Sequence, residues 1–331
     1  MRPFAYARAG DTPTALSLSG SKAAYFAGGT TLLDLMKLDV LRPERLVDIN
    51  ALKAEHGSIA ADGSGLVLGG LARMSEAAEH PAIARHYPAI RDALVQAASA
   101  QLRNMASLAG NLLQRTRCLY FRDRSWHACN KRNPGSGCAA IHGVNRRLAV
   151  LGVSEHCIAH YPGDLAVALV ALDASLDLVA PDGSTRTLPL EALHRPWGDT
   201  PHIETNLAPG ELITAIRVPA APWFRRSLYR KVRDRESYDF ALASAAVALD
   251  LAPDGTVREA RVGLGGLAAR PWRAREAEDA LRGQRLDEGS AAAAAQAAFA
   301  GAVTHGENAF KPELGRRTLV RALLDAAAME T

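Results

Sequence analysis

Four cysteines, Cys118, Cys129, Cys138 and Cys157, fall in one stretch of the chain, and they are all the cysteines it has. Ten, eight and eighteen residues separate them in turn. Thiolates hold zinc or iron–sulfur clusters, so the question is which geometry this spacing allows. There is no C-x-x-C pair, which weakens a zinc ribbon, whose ligands come in close pairs. The spacing also differs from the tight run of bacterial ferredoxins. Four thiolates spread along a loop still converge on one cluster if the loop wraps round it. Between Arg115 and Arg132 there are six Lys or Arg and one acid, Asp123. Arg115, Arg117, Lys131 and Arg132 flank the sulfurs with positive charge, and Gly135 and Gly137 let backbone approach them. Buried or unbonded thiols and a solvated basic loop are the plainer alternative. His127, His142, His156 and His160 are read as surface or hydrogen-bonding side chains.

Two glycine loops offer a different chemistry. In Ala27-Gly28-Gly29-Thr30-Thr31 the adjacent glycines let several backbone N–H groups approach a diphosphate. The helix start that follows adds partial positive charge, and Thr30 and Thr31 add hydroxyls. Glycine order excludes the G-x-G-x-x-G fingerprint and disfavours a Rossmann fold. A tight strand–helix turn is the alternative. Ser107-Leu108-Ala109-Gly110-Asn111 is a second such loop, with Gln101, Arg103 and Asn104 supplying donors ahead of it. A plain polar loop is its alternative.

The elements that must position these groups fall into two blocks. Ala23–Gly28 is a short apolar strand, and Leu32, Leu33, Leu35, Met36 and Leu38 repeat at helical spacing after it. Strands are expected at 45–50, 65–69, 175–180 and 211–218, and helices at 73–79, 82–100 and 162–174. PAAPW at 219–223 has the character of a linker. Beyond it three strands are expected, at 227–232, 241–251 and 257–266, then helices at 272–281, 291–304 and 313–328. Strands followed by helices suggest a separate α+β domain. The expected division is a first domain over 1–218, with lobe one at about 1–55, lobe two at about 56–218 and the cysteine loop at 115–157. A C-terminal domain covers 219–331.

Composition sets outer limits. A chain of 331 residues is expected to hold more than one domain. A 48% apolar fraction supports real cores, and a net charge of +4 does not argue for nucleic acid. No apolar run reaches the roughly 18 residues of a membrane span, and residues 1–20 lack the pattern of a secretory signal. Four cysteines in a chain this long do not make a disulfide scaffold.

AGGTTLL (27–33), QLRNMASLAGN (101–111), YPGD (161–164), GELITAIRVP (210–219) and YRKVRDR (229–235) occur in an order that resembles the FAD-binding medium subunits of the molybdenum hydroxylase family. That family includes xanthine and carbon monoxide dehydrogenases. QRTRC, CNKRNPGSGCAA and GVSEHC narrow the resemblance to the iron–sulfur-bearing FAD subunit of heterotrimeric periplasmic aldehyde oxidoreductases. The resemblance implies an α+β fold: a two-lobed FAD-binding domain of the vanillyl-alcohol oxidase type, then a small C-terminal domain with a three-stranded sheet and helices.

It also implies residue roles. Phe26, Ala27, Gly28, Gly29, Thr30, Thr31, Leu32 and Leu33 match the loop that cradles the FAD diphosphate. Gln101, Ser107, Gly110 and Asn111 match the second loop. Asp164, Leu212 (or Ile213) and Lys231 match further FAD contacts. Taken alone, Asp164 is a helix N-cap, Lys231 a solvated charge and Leu212 a core residue. Cys118, Cys129, Cys138 and Cys157 match the ligands of a [4Fe–4S] cluster. Where the family often has Thr and Gly-Gly, this chain has Ser107 and Ala109-Gly110.

The implied activity is electron transfer. Aldehydes are oxidised at a molybdenum cofactor on a large partner subunit, electrons pass through [2Fe–2S] clusters on a small subunit, and this chain's FAD delivers them to an external acceptor. Nothing implies a nucleic-acid partner. The chain shows no export signal, so it is expected in the periplasm by co-export with a signal-bearing partner, and otherwise in the cytoplasm. Two other classes remain: a self-contained flavoprotein oxidase, which needs its own catalytic base, and a non-catalytic binding module held by zinc.

Overall fold

The structure is a computed structural model that describes residues 1–330. Three sheets organise it. The first is parallel, with strand order β1-β3-β2, from Ala5–Arg8 (β1), Ala23–Phe26 (β2) and Arg45–Asp48 (β3). Both outer strands register on β3, Ala5 and Ala23 each opposite Arg45. Parallel neighbours need crossovers, and the short helices Thr12–Ser17 and Leu32–Lys37 supply them.

The second sheet is antiparallel. Its strands are Ile59–Asp62 (β4), Gly65–Gly69 (β5), Ser175–Val179 (β6), Thr185–Pro189 (β7) and Leu212–Pro219 (β8), in the order β4-β5-β8-β6-β7. Helices from the 74–112 segment and helix Leu165–Ala171 share one apolar core with this sheet. Every residue of Leu165–Ala171 is buried, as expected of a helix apolar on all sides.

The third sheet runs β12-β11-β10-β9, from Ser227–Val232 (β9), Ala243–Leu251 (β10), Val257–Gly265 (β11) and Trp272–Arg273 (β12). Helices Arg275–Leu281, Glu288–Ala298 and Lys311–Ala327 share its core. Tyr229, Ala246 and Ala248 of this sheet belong to the core of the second. A side chain on Gly263 would strike the Val167 carbonyl, so helix Leu165–Ala171 lies hard against β11.

Three sequence expectations need correction. The helix expected over 82–100 is broken: Pro81–His86 ends at Tyr87 and Pro88–Val95 begins anew. Pro88 has no N–H to continue the ladder and disfavours α geometry at Tyr87, whose φ is −138°. The sheet expected to have three strands has a short fourth, because Trp272–Arg273 pairs with β11 and the helix starts only at Arg275. The helix expected from Ala291 starts at Glu288. The Asp287 side chain caps it by accepting from Ser290 N at 2.9 Å.

Candidate functional site

The two glycine loops meet. A Cβ on Gly28 would overlap the Met105 carbonyl, so only glycine lets β2's turn lie against the chain leading into the second loop. Gly29 has φ +69°, the left-handed region. A clamp holds the meeting. Arg73 donates to Met105 O at 2.6 Å and to Asn50 Oδ1 at 2.7 Å, and Asn50 Nδ2 donates to Ala27 O at 3.1 Å. Neither Arg73 nor Asn50 was legible as a site residue, since each is a lone polar group far from both loops in sequence.

Two cavities open along this junction. One, of about 210 Å³, is lined by Ala27, Gly28, Gly29, Thr30, Thr31, Leu32, Ser107, Gly110, Leu212 and Ile213, among others. The other, of about 360 Å³, is lined by Thr30, Thr31, Asn111, Arg117, Asp164 and Phe240, among others. They share Thr30, Thr31 and Ala106 as a common wall, so they lie side by side along the cleft. Leu212 and Ile213 both reach it.

The remaining expected contacts stand elsewhere. Phe26 and Leu33 pack behind Gly29, where its Cβ would sit, and do not line the cleft. Gln101 is exposed on helix Ala100–Met105 and lines neither cavity. The Ser107 hydroxyl accepts from Gly110 N at 3.2 Å and caps helix Leu108–Leu112, so that lone pair serves the fold.

Asp164 precedes helix Leu165–Ala171 but makes no side-chain cap. Its carboxylate instead accepts from Tyr229 Oη at 2.5 Å and Lys231 Nζ at 2.8 Å. Lys231 is therefore no solvated charge: its side chain is fully buried, and Nζ also donates to Gln96 O at 3.1 Å. It props Asp164 from below and does not line the cavities. Burial pushes the Asp164 carboxyl up, while Lys231 and Tyr229 pull it down.

The cleft fits FAD on its polar atoms. Asn111 Nδ2 contacts Met74 Sδ at 3.4 Å, while Asn111 Oδ1 and Arg117 Nε are buried with no partner among the described residues. Both residues line the larger cavity, offering an acceptor and a donor. Buried polar groups need partners, and FAD carries donors and acceptors along its length. Arg117 also lies over the Phe240 ring, 4.9 Å from its centroid. Arg117 and the 235–240 segment were missed as cleft walls; the segment's place comes from ion pairs of Arg147 with Asp234 and Asp239.

The cysteine loop forms a closed cage. Cys118, Cys129, Cys138 and Cys157 all line one small cavity of about 10 Å³, and none is in a disulfide. Cys129 and Cys138 face each other across an antiparallel bridge, while Cys157 lies on a turn closed by its bridge to Ser154. Asn130 ties these pieces together, accepting from Gly137 N at 2.9 Å and donating to His156 O at 3.0 Å. Gly135 and Gly137, at φ +84° and +88°, make the turn between.

Burial pushes the Cys118 thiol up to about 11 and the Cys157 thiol up to about 12. Backbone amides of Phe121 and Tyr120 face Cys118, and that of Ala159 faces Cys157. Among the described residues no three His, Cys, Asp or Glu are grouped to hold a single metal ion. His160 is not the surface or hydrogen-bonded side chain expected. It is buried, neither ring nitrogen has a partner among the described residues, and it lines a further cavity with Arg117 and Cys118.

No helix is long and apolar enough to cross a membrane among the described residues. Comparison with known proteins agrees with the geometry. Residues 2–221 match the FAD binding domain in molybdopterin dehydrogenase, and residues 227–326 match the CO dehydrogenase flavoprotein C-terminal domain. The chain is 47% identical over 331 residues to the aldehyde oxidoreductase FAD-binding subunit PaoB of Escherichia coli strain K12, covering 99% of each. It is 26% identical to the glyceraldehyde dehydrogenase medium chain of Sulfolobus acidocaldarius, over 86% of this chain and 83% of that one. A solved carbon monoxide dehydrogenase chain from Hydrogenophaga pseudoflava superposes with a TM-score of 0.75 at 26% identity, covering 98% of this chain and 97% of that one. By these matches the chain belongs to the FAD-binding medium subunits of the molybdenum hydroxylase family, the flavoprotein chains of oxidoreductase complexes.

Proposed function

We propose that this chain is the FAD- and [4Fe–4S]-bearing electron-transfer subunit of a heterotrimeric, molybdenum-dependent aldehyde oxidoreductase. The observation that carries the reading is the pair of cavities adjoining at Thr30 and Thr31, with four free cysteines round one cavity on the adjoining loop. The aldehyde assignment follows the name of the E. coli relative at 47% identity. Its complex would include a large chain with the molybdenum cofactor and a small chain with [2Fe–2S] clusters, and an external acceptor would take the electrons. Export together with a signal-bearing partner would place it in the periplasm, and the cytoplasm is the alternative.

FAD supplies one- and two-electron chemistry when bound. The chain's own part is to bind and orient it. Gly28 and Gly29 let backbone reach a diphosphate, with Thr30, Thr31, Ser107 and Gly110 around it. Asn111 and Asp164 hold polar edges, and Lys231 fixes Asp164. Leu212, with Ile213 beside it, packs an apolar ring. Phe26, Leu33 and Gln101 act through the loop's backbone or from its rim.

Cys118, Cys129, Cys138 and Cys157 would ligate the cluster. Cluster cysteines stand round a cube of iron and sulfur rather than about one ion, and amides facing the sulfurs stabilise the added electron. The family matches support domain limits near 1–218 and 219–331, and the cleft supports two lobes meeting near residue 56.

The visible spectrum of anaerobically purified protein tests the reading, before and after dithionite. Flavin bands over a broad absorption that bleaches are expected. Flavin alone, with no iron by chemical analysis, would remove the cluster. A colourless protein would remove both.

A further inference from the structure

Between the cleft and the cage runs a chain of three charges that neither site explains. Arg115 walls the smaller cavity of the cleft. Its guanidinium lies over Phe121, 4.5 Å from the ring centroid, and Phe121 lines the cage. Arg115 Nε donates to Glu204 Oε1 at 2.7 Å, and Nη2 reaches the same oxygen. From the other side Lys131 Nζ stands 3.3 Å from that oxygen. Lys131 also lines the cage, donates to Pro201 O at 2.9 Å and sits 3.4 Å above the Trp197 ring centroid. Its side chain is 1% exposed and that of Glu204 is 16% exposed. The segment carrying Glu204 is pinned by Arg195 N donating to Glu204 O at 3.0 Å and by the bridge between His194 and Thr205.

Two cations and one anion leave one net positive charge between the two sites. Stability alone is a weak reason for it, because buried ion pairs are often no better than apolar packing. Reduction at either site adds negative charge, and in a partly buried setting that charge is poorly screened.

We infer that Glu204 is a positioning residue that sets the reduction potentials of both cofactors together, holding Lys131 toward the cage and Arg115 toward the cleft. This rests on the FAD and [4Fe–4S] reading above. Each cation favours the reduced form on its own side, and Glu204 moderates both.

The test is redox titration of the flavin- and iron-loaded protein, following flavin absorbance and the cluster's electron paramagnetic resonance. Glu204→Gln should raise both potentials, by at least about tenfold in each one-electron equilibrium, which is about 59 mV. Lys131→Met should lower the cluster potential more than the flavin potential, and Arg115→Met should do the reverse. Glu204→Gln protein with full flavin and iron but only one potential moved, or neither, would overturn the inference. If that variant fails to fold, the crossed pattern of the other two decides: matching shifts in both variants, or no shift, would overturn it. Unaltered protein lacking iron or flavin would remove the cofactor reading, and this inference with it.

Discussion

The cleft and the cage adjoin, yet they are made by opposite means. The cleft is an absence of side chains at the junction of two lobes: Gly28 against Met105 O, with Arg73 and Asn50 holding the loops together. The cage is a presence of side chains on a loop with little regular structure, closed by Asn130 and two isolated bridges. A cleft built by backbone depends on the whole fold. A cage built by side chains depends on the groups that cross-link its own loop. The two should therefore fail separately.

The largest separation is expected from Cys138→Ser. Iron should fall to background while flavin stays, as measured by metal analysis and flavin absorbance. Retained iron would mean that Cys138 is not a ligand. The mirror image is Gly28→Ala. Its methyl meets Met105 O, an overpacking that costs roughly 1–3 kcal/mol, so flavin should be lost and iron kept. Equal loss of both would show that the cage needs the cleft.

Asp164→Ala probes the wall between lobe two and the C-terminal domain. Leaving the buried Lys231 charge without its carboxylate costs about 3–5 kcal/mol, read as a lower denaturant midpoint. The double change Asp164→Ala with Lys231→Met should recover most of that stability. Flavin occupancy that stays low in the double variant marks Asp164 as a flavin contact; occupancy that recovers marks it as structural alone.

Acid should weaken the fold in a defined window. Burial holds His194 down at about 4 and His160 at about 3, both below the ordinary 6.5. Each is neutral in the fold and takes up a proton more readily when unfolded. Their contribution is thus complete above pH 6.5 and is lost as pH falls toward 4 and 3. For His194 the total is about 3 kcal/mol. Urea midpoints at pH 7, 5 and 4 should fall, and less steeply in His194→Gln, where Nε2–Leu112 O is the bond replaced. The smallest effect separates Leu212→Ala from Ile213→Ala: whichever lowers flavin affinity more, at equal stability, carries the ring contact.

The ordered glycine and cysteine motifs marked both regions through the family resemblance, while spacing alone left tight turns and free thiols as alternatives. What residue spacing alone does not carry is long-range. Asp164 passes for a helix cap until Tyr229 and Lys231 arrive from a strand 65 and 67 residues later. Glu204 is a single acid in a loop until Lys131 and Arg115 close on it from the cage. β7 was missed because Thr185–Pro189 is almost wholly exposed and lacks the apolar alternation that marks a strand. Pro88 did carry its own signal, and the alanine-rich stretch around it masked it.

The Asp164–Lys231 pair has a consequence for descent. Its two charges are encoded far apart, one in each domain, and each is costly in the core without the other. A recombination breakpoint between them would join an acid to a stranger's strand. The two domains should therefore be inherited as one block, and a chimera with a relative should fold only where both parents bring this acid and this base to the same place.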